Sequence, residues 1–221
     1  MSPSGRPKGE YRSAQHEGSP VTRLALLRHG ETDWNLQSRI QGRTDTELHD
    51  QARAWLVGRR LPQEFNGWRR FSSPLRRCLQ TCECLGLSNV QVQPSLVEAD
   101  WGQWEGCTLA QLRGEQAQAM RENEALGFDF RPSGGESPRE VLVRLRPWLH
   151  ELAQTGKPAL AVTHRGVIRV LMAQALGWDM LGKAPVKLQR NAMHVFQIQP
   201  DGSVRPDQFN IPLESRSQES P

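Results

Sequence analysis

Apolar and polar positions along the 221-residue chain fall into short blocks with two different periods. Four apolar runs of strand length, Arg23–Arg28, Arg69–Ser72, Ala159–Thr163 and His194–Gln199, predict β-strands, and Val90–Gln93 and Val204–Phe209 are weaker versions of the same pattern. Between them, apolar residues recur at helical spacing. Gly166–Leu176 is the clearest such stretch, and it stops at Gly177, a residue suited to the end of a helix. Ser73-Pro74 predicts another helix start, with serine capping free amides, proline in the first turn, and Gly86 closing the segment. Thr108 with Gln111, and Ser137 with Glu140, have the form of capping boxes; Pro138 then takes the first helical position of the second. A single helix is expected from Thr108, then a short linker before the Ser137 helix.

Strands alternating with helices predict an α/β fold, a three-layer α/β/α sandwich around a mainly parallel sheet. Ligands of such sheets bind beyond the carboxyl ends of the strands. Residues 1–20 are rich in glycine, proline, serine and charge, and are expected to form a disordered tail; residues 214–221 read the same way. Residues 21–213 are expected to form one domain. The chain carries no internal repeat.

Composition narrows the functional classes. The formal charge is +4, and its arginines are scattered as pairs such as Arg59-Arg60, Arg69-Arg70 and Arg76-Arg77. A nucleic-acid binder would concentrate them in one patch, so no nucleic-acid partner is expected. No run approaches the ~18 apolar residues that span a bilayer, and the start lacks the apolar core of a secretory signal. A cytoplasmic protein without a membrane partner is therefore expected. Cys78, Cys82, Cys84 and Cys107 form no Cys-x-x-Cys pair and have no histidine cluster beside them, so neither a metal site nor a disulfide framework is expected. Cys78 and Cys82, one helical turn apart, read as buried thiols.

Candidate chemistry lies at two strand ends. Leu24–Asn35 reads LALLRHGETDWN and puts His29 where the first strand stops. Ala159–Gly166 reads ALAVTHRG and puts His164 at the end of a later strand. Each histidine is followed within two residues by glycine, which suits a sharp turn and a close ligand. Arg28 precedes His29, and Arg77 lies early in the helix after the Arg69–Ser72 strand. A helix N-terminus attracts anions, and the planar fork of arginine suits phosphate oxygens. Arg76 competes with Arg77, but one helical step turns the chain by about 100°, so the two face different ways.

Six blocks in order now resemble the histidine phosphatase superfamily, the phosphoglycerate-mutase-like fold. They are Arg28-His29-Gly30-Glu31-Thr32 with Asn35; Arg39-Ile40-Gln41-Gly42 with Asp45; Ser73–Thr81; Glu98–Gly106; Gly134-Gly135-Glu136-Ser137; and Thr163-His164-Arg165-Gly166. The resemblance implies phosphoryl transfer through a phosphohistidine. His29 would be the nucleophile, Arg28 and Arg77 would neutralise the non-bridging oxygens, and His164 would do the same from the far side. Asn35, Gln41 and Gly42 would help hold the phosphate. Glu98 would be the acid/base, pushed toward its protonated form by the neighbouring anion and by partial burial; Asp100 and Glu105 are the nearby alternatives. No cofactor is implied.

Several residues carry blander expectations. Glu31 should orient its loop. Trp34 suits either the substrate mouth or loop packing, whereas Trp101 and Trp104 read as structural. Trp55, Trp148 and Trp178 read as core, and His49, His150 and His194 as structural or exposed. Arg165 stands where the family commonly has glycine; its side chain would either supply an extra phosphate contact or point away from the site, and the second is expected.

The family contains phosphatases and mutases. A mutase must shield its phosphoenzyme from water, which calls for a lid. Glu98 and His164 are only 66 residues apart here, which leaves an open site and favours hydrolysis of a small phosphorylated substrate. Mutase-type transfer is the alternative, and non-catalytic binding of a phosphorylated ligand a third. Specificity is expected from Trp34–Gln41 and from Glu115–Gly135 with Phe128, Phe130 and Arg131. Sugar phosphates, a nucleotide and α-ribazole phosphate all stay open.

Overall fold

The computed structural model describes residues 21–216. The expected tail at 1–20 and the last five residues, 217–221, lie outside the described residues. In chain order the elements are β1 (Thr22–Arg28), α1 (Asp33–Leu36), α2 (Asp50–Val57), β2 (Arg59–Arg60), β3 (Arg69–Ser72), α3 (Arg76–Cys84), β4 (Val90–Val92), α4 (Leu109–Glu115), α5 (Ala117–Glu124), α6 (Pro138–Thr155), β5 (Ala159–Thr163), α7 (Arg165–Leu176), β6 (Ala192–Ile198), β7 (Val204–Pro212) and β8 (Glu214–Ser215). The main sheet has six strands in the order β4-β3-β5-β1-β6-β7. The neighbours β4-β3, β3-β5 and β5-β1 are parallel, while β6 runs antiparallel to both β1 and β7.

Strand alternation builds the three layers. Leu24 and Leu26 of β1, with Ala159 and Ala161 of β5, face a core made by α6 and α7. Ala25 and Leu27, with Leu160 and Val162, face the opposite core, where α3 contributes Cys78 and Cys82 and α2 contributes Leu56. Both sides of the central strands are buried, which is why they read as continuous apolar runs rather than alternating ones. A third, small core of Trp104, Leu112 and Met120 supports the segment between Trp101 and Phe130.

Three local expectations need correction. Glu214 and Ser215 do not begin a tail; they pair antiparallel with Arg60 and Arg59, and the Arg216 guanidinium donates to the carbonyls of Arg59 and Leu85. The helix from Thr108 is two helices, broken at Gln116 (φ −129°, ψ 40°), so that Arg113 of α4 reaches Glu124 of α5 at 2.7 Å. Helix α3 starts at Arg76, and Ser73 does not cap it. Asp45 does so from a distant loop, accepting from the Arg76 amide at 2.7 Å. The capping boxes at Thr108 and Ser137 form as expected, and Gly177 ends α7 in the left-handed conformation.

Candidate active site

Strands β1 and β5 lie side by side in parallel with Arg28 opposite Thr163, so both end at the same sheet edge. The His29 amide continues the ladder, donating to Thr163 O at 2.9 Å. This places the two histidines next to each other, with ring centroids 5.2 Å apart and planes tilted by 58°, and both are buried.

The tautomer of His29 follows from its partner. Nδ1 lies 2.6 Å from the Gly30 carbonyl, which can only accept. Nδ1 therefore carries the proton, and Nε2 keeps its lone pair. Burial, then the charges of Arg28 and Arg77, push His29 well below the ordinary imidazole value, so the ring is neutral at physiological pH. His164 is lowered in the same way by burial and by Arg77. Its Nε2 shares a 2.7 Å hydrogen bond with Ser73 Oγ, and Cys78 Sγ lies 3.5 Å away. Ser73 thus serves the site rather than the helix. Residue type alone does not show this, because a capping serine and a histidine-holding serine look the same in sequence.

Two arginines bring uncompensated charge. Arg77 is fully buried and donates to the carbonyls of Gly42 at 2.7 Å and Thr44 at 2.8 Å. Its Nε and that of Arg28 are buried without a partner, and among the described residues neither guanidinium forms an ion pair. Burial, then repulsion from Arg190 and Arg165, lowers Arg28 to about 9, which still leaves it charged at neutral pH. A buried cation without a counter-ion costs several kcal/mol, and an anion at this point would relieve it.

The neutral donors stand around the same space. The Oδ1 of Asn35 accepts from the Thr32 amide at 3.2 Å and from Arg190 at 3.3 Å, and its NH2 has no partner among the described residues. The Oε1 of Gln41 accepts from Thr46 Oγ1 at 2.7 Å, with the same result. Gly42 lines the cleft, and its observed bond is the one that fixes Arg77.

Glu98 completes the set. Its carboxylate accepts from the Gly166 amide at 3.1 Å and from its own neighbour Ala99 at 2.9 Å. The loop that carries it is held by Arg144, which donates to Val97 O at 2.7 Å and pairs with Glu136 at 2.8 Å. Of the alternative carboxylates, Glu105 is committed elsewhere, accepting from the Arg43 amide at 2.7 Å and the Thr44 amide at 2.9 Å. Asp100 accepts from the Gly102 amide at 2.8 Å.

The glycines beside the histidines have a reason the sequence did not reveal. A Cβ on Gly30 would lie 2.7 Å from Leu56 and 3.1 Å from Leu48, so it is helix packing that requires glycine there. A Cβ on Gly166 would strike Glu98, at 3.1 Å from Cδ and closer still to Oε1. Neither has the positive φ of a sharp turn.

Arg28, His29, Asn35, Gln41, Gly42, Arg77, Glu98 and Arg165 line a cleft of about 860 Å³, whereas His164 is fully buried against His29 and does not line it. Arg165 therefore faces the cleft, contrary to expectation, because the first turn of α7 opens onto it. Trp101 and Phe130 also line the cleft while packing on each other at 5.7 Å between ring centroids, so Trp101 is more than structural. Trp34 packs in its loop, against the Gly106 backbone and under Arg39. Glu31 orients its loop by pairing with Arg190 at 3.5 Å. His49 caps α2, His194 is buried and lowered to about 4 by burial, and Arg131 pairs with Glu140.

Comparison with known proteins then decides the family. The histidine phosphatase superfamily (branch 1) matches residues 24–210. The chain belongs to this superfamily. Glucosyl-3-phosphoglycerate phosphatase of Mycobacterium tuberculosis is 35% identical over 187 residues, covering 72% of this chain and 80% of that protein. The 2,3-bisphosphoglycerate-dependent phosphoglycerate mutase of Methylobacterium radiotolerans is 27% identical over 194 residues, covering 82% and 92%. The mycobacterial glucosyl-3-phosphoglycerate phosphatase in complex with inorganic phosphate superposes with a TM-score of 0.69 at 29% identity, over 86% of this chain and 98% of that one. The expected family and fold are borne out, and the higher identity falls on the phosphatase side. Among the described residues no helix is long and apolar enough to cross a membrane.

Proposed function

We propose that the chain hydrolyses a small phosphomonoester in two steps through a phosphohistidine at His29. The observation that carries this reading is the His29 ring itself, whose proton is fixed on Nδ1 by Gly30 O, leaving Nε2 bare, and which lines a cleft with Arg28 and Arg77, two arginines whose Nε atoms are buried without a partner.

In the first step Nε2 attacks phosphorus in line with the leaving oxygen. The developing positive charge on the imidazole is stabilised by the Nδ1–H to Gly30 O bond. Arg28, Arg77 and His164 gather the equatorial oxygens, with the free amides of Asn35 and Gln41 at the rim; such preorganised charge is where most of the acceleration arises in a buried site. Glu98, anchored on the first turn of α7, gives a proton to the leaving alkoxide. In the second step Glu98 takes a proton from water as it attacks the phosphoenzyme, and His29 returns to its starting tautomer.

The roomy cleft supports hydrolysis over reinsertion, because water reaches the intermediate. The four unpaired cysteines suit a reducing compartment, so we place the protein in the cytoplasm. The test is phosphate release from p-nitrophenyl phosphate. The wild type should turn over and His29→Ala should lose at least about 10³-fold in kcat. Bisphosphate-primed conversion of 3- to 2-phosphoglycerate exceeding hydrolysis would instead establish the mutase reading.

A further inference from the structure

The cleft holds more positive charge than one phosphoryl group needs. Seven arginines line it, against the two carboxylates of Glu98 and Glu124. Glu124 is taken by Arg113, and a phosphomonoester dianion balances Arg28 and Arg77. Of the four that remain, Arg39 lies over the Trp34 ring and Arg190 pairs with Glu31, which leaves Arg165 and Arg169. They sit four residues apart on α7, on one helix face about 6 Å from each other. Among the described residues, neither has a carboxylate within ion-pairing distance. Arg169 is half-buried and braced over the Trp178 ring at 5.0 Å, so it keeps its direction without an acidic partner. Two like charges at this spacing repel one another, and burial and Arg165 both lower Arg169. Such a pair is stabilised by an anion placed between its members.

The position of the pair says which part of the substrate that anion occupies. The phosphoryl group belongs at His29, Arg28, Arg77 and His164. The leaving oxygen faces Glu98, whose carboxylate is fixed on the Gly166 amide. Arg165 precedes Gly166 directly, and Arg169 follows one turn later on the same wall of the cleft. A charge bound there lies on the leaving group, on the far side of Glu98 from phosphorus. Arg190 closes the space from the segment before β6, where Glu31 at 3.5 Å already offsets part of its charge.

Building on the phosphatase reading, we propose that Arg165 and Arg169 form a second oxyanion subsite, and that the preferred substrate carries a carboxylate or a further phosphate on its leaving group. Each bond to such an anion is charge-assisted and suits the arginine fork.

The experiment compares kcat/KM for matched pairs of phosphomonoesters. Glycerol 3-phosphate against 3-phosphoglycerate differ by a carboxylate; fructose 6-phosphate against fructose 1,6-bisphosphate differ by a phosphate. The wild type should favour the acidic member of at least one pair by about ten- to a hundredfold, the scale of one or two charged hydrogen bonds. The pair that shows the preference names the oxyanion. In Arg165→Gln and in the double variant Arg165→Gln/Arg169→Gln, that ratio should fall about tenfold or more. A wild-type ratio near one in both pairs, or a ratio that the variants leave unchanged, overturns the subsite. Absence of turnover on all four esters and on p-nitrophenyl phosphate would instead refute the phosphatase reading beneath it. Arg165 is exposed, so its replacement leaves folding intact and the ratio readable.

Discussion

Replacing Gly166 by alanine isolates the acid/base role proposed for Glu98 without replacing Glu98 itself. The new Cβ would stand 3.1 Å from Cδ and 3.4 Å from Oε2 of Glu98, and nearer still to Oε1. Ordinary contact requires the carboxylate to withdraw by roughly 1 Å, and a misplacement of that size costs on the order of 10²-fold in rate. The helix itself does not object. Alanine is favoured over glycine in a helix by up to about 1 kcal/mol, which offsets the weakened bond from the Gly166 amide to Glu98, so stability should change by no more than about 1 kcal/mol. The assay is kcat/KM for two leaving groups, since this parameter reports the step that forms the phosphoenzyme. An alkyl phosphate expels an alkoxide that needs the proton, and should lose about 10²-fold. p-Nitrophenyl phosphate expels a phenolate that needs little help, and should lose less than about tenfold. Equal losses for both esters, or no loss for either in a folded variant, would refute the placement of Glu98 as the leaving-group acid.

Three further outcomes are expected. Ser73→Ala removes the 2.7 Å bond that holds His164, and should lower kcat about tenfold and stability by about 1 kcal/mol in urea unfolding, with KM changed far less. Acid should destabilise the protein through its buried histidines. His29 and His164 are held well below 6.5 and His194 at about 4, so the unfolded chain binds more protons than the folded one once pH falls below 6.5. Stability is full above that value and should drop by about 1.4 kcal/mol per pH unit for each such histidine, until pH reaches its folded value; urea midpoints from pH 7 to 4.5 read the slope. Inorganic phosphate at about 100 times its Kd should raise Tm by roughly 5–10 °C, from about 2.7 kcal/mol of binding linkage, and Arg28→Gln should remove most of that shift.

Much of the fold was legible because both faces of β1 and β5 are buried, which leaves apolar runs with sharp ends. The candidate site was legible for a related reason, since His29 and His164 stand where those runs stop. The less visible features depend on partners distant in sequence. Asp45 caps α3 across 31 residues, and Ser73 reaches His164 across 91, so local spacing assigned the cap to the wrong residue. Gly30 and Gly166 were visible as glycines, but their reason, the close approach of Leu56 and of Glu98, exists only after folding. Arg165 was misjudged because a surface cation and a cleft-lining cation have the same local sequence. The Glu214–Ser215 pairing was hidden by a composition typical of tails, with only two residues in the strand.

The central claim is a covalent phosphohistidine at His29, and the stereochemical course at phosphorus tests it most directly. With a phosphomonoester made chiral by oxygen isotopes and hydrolysed in isotopic water, two successive in-line displacements predict net retention of configuration. Net inversion would mean that water attacks the substrate directly, and would contradict the assignment of His29 as nucleophile.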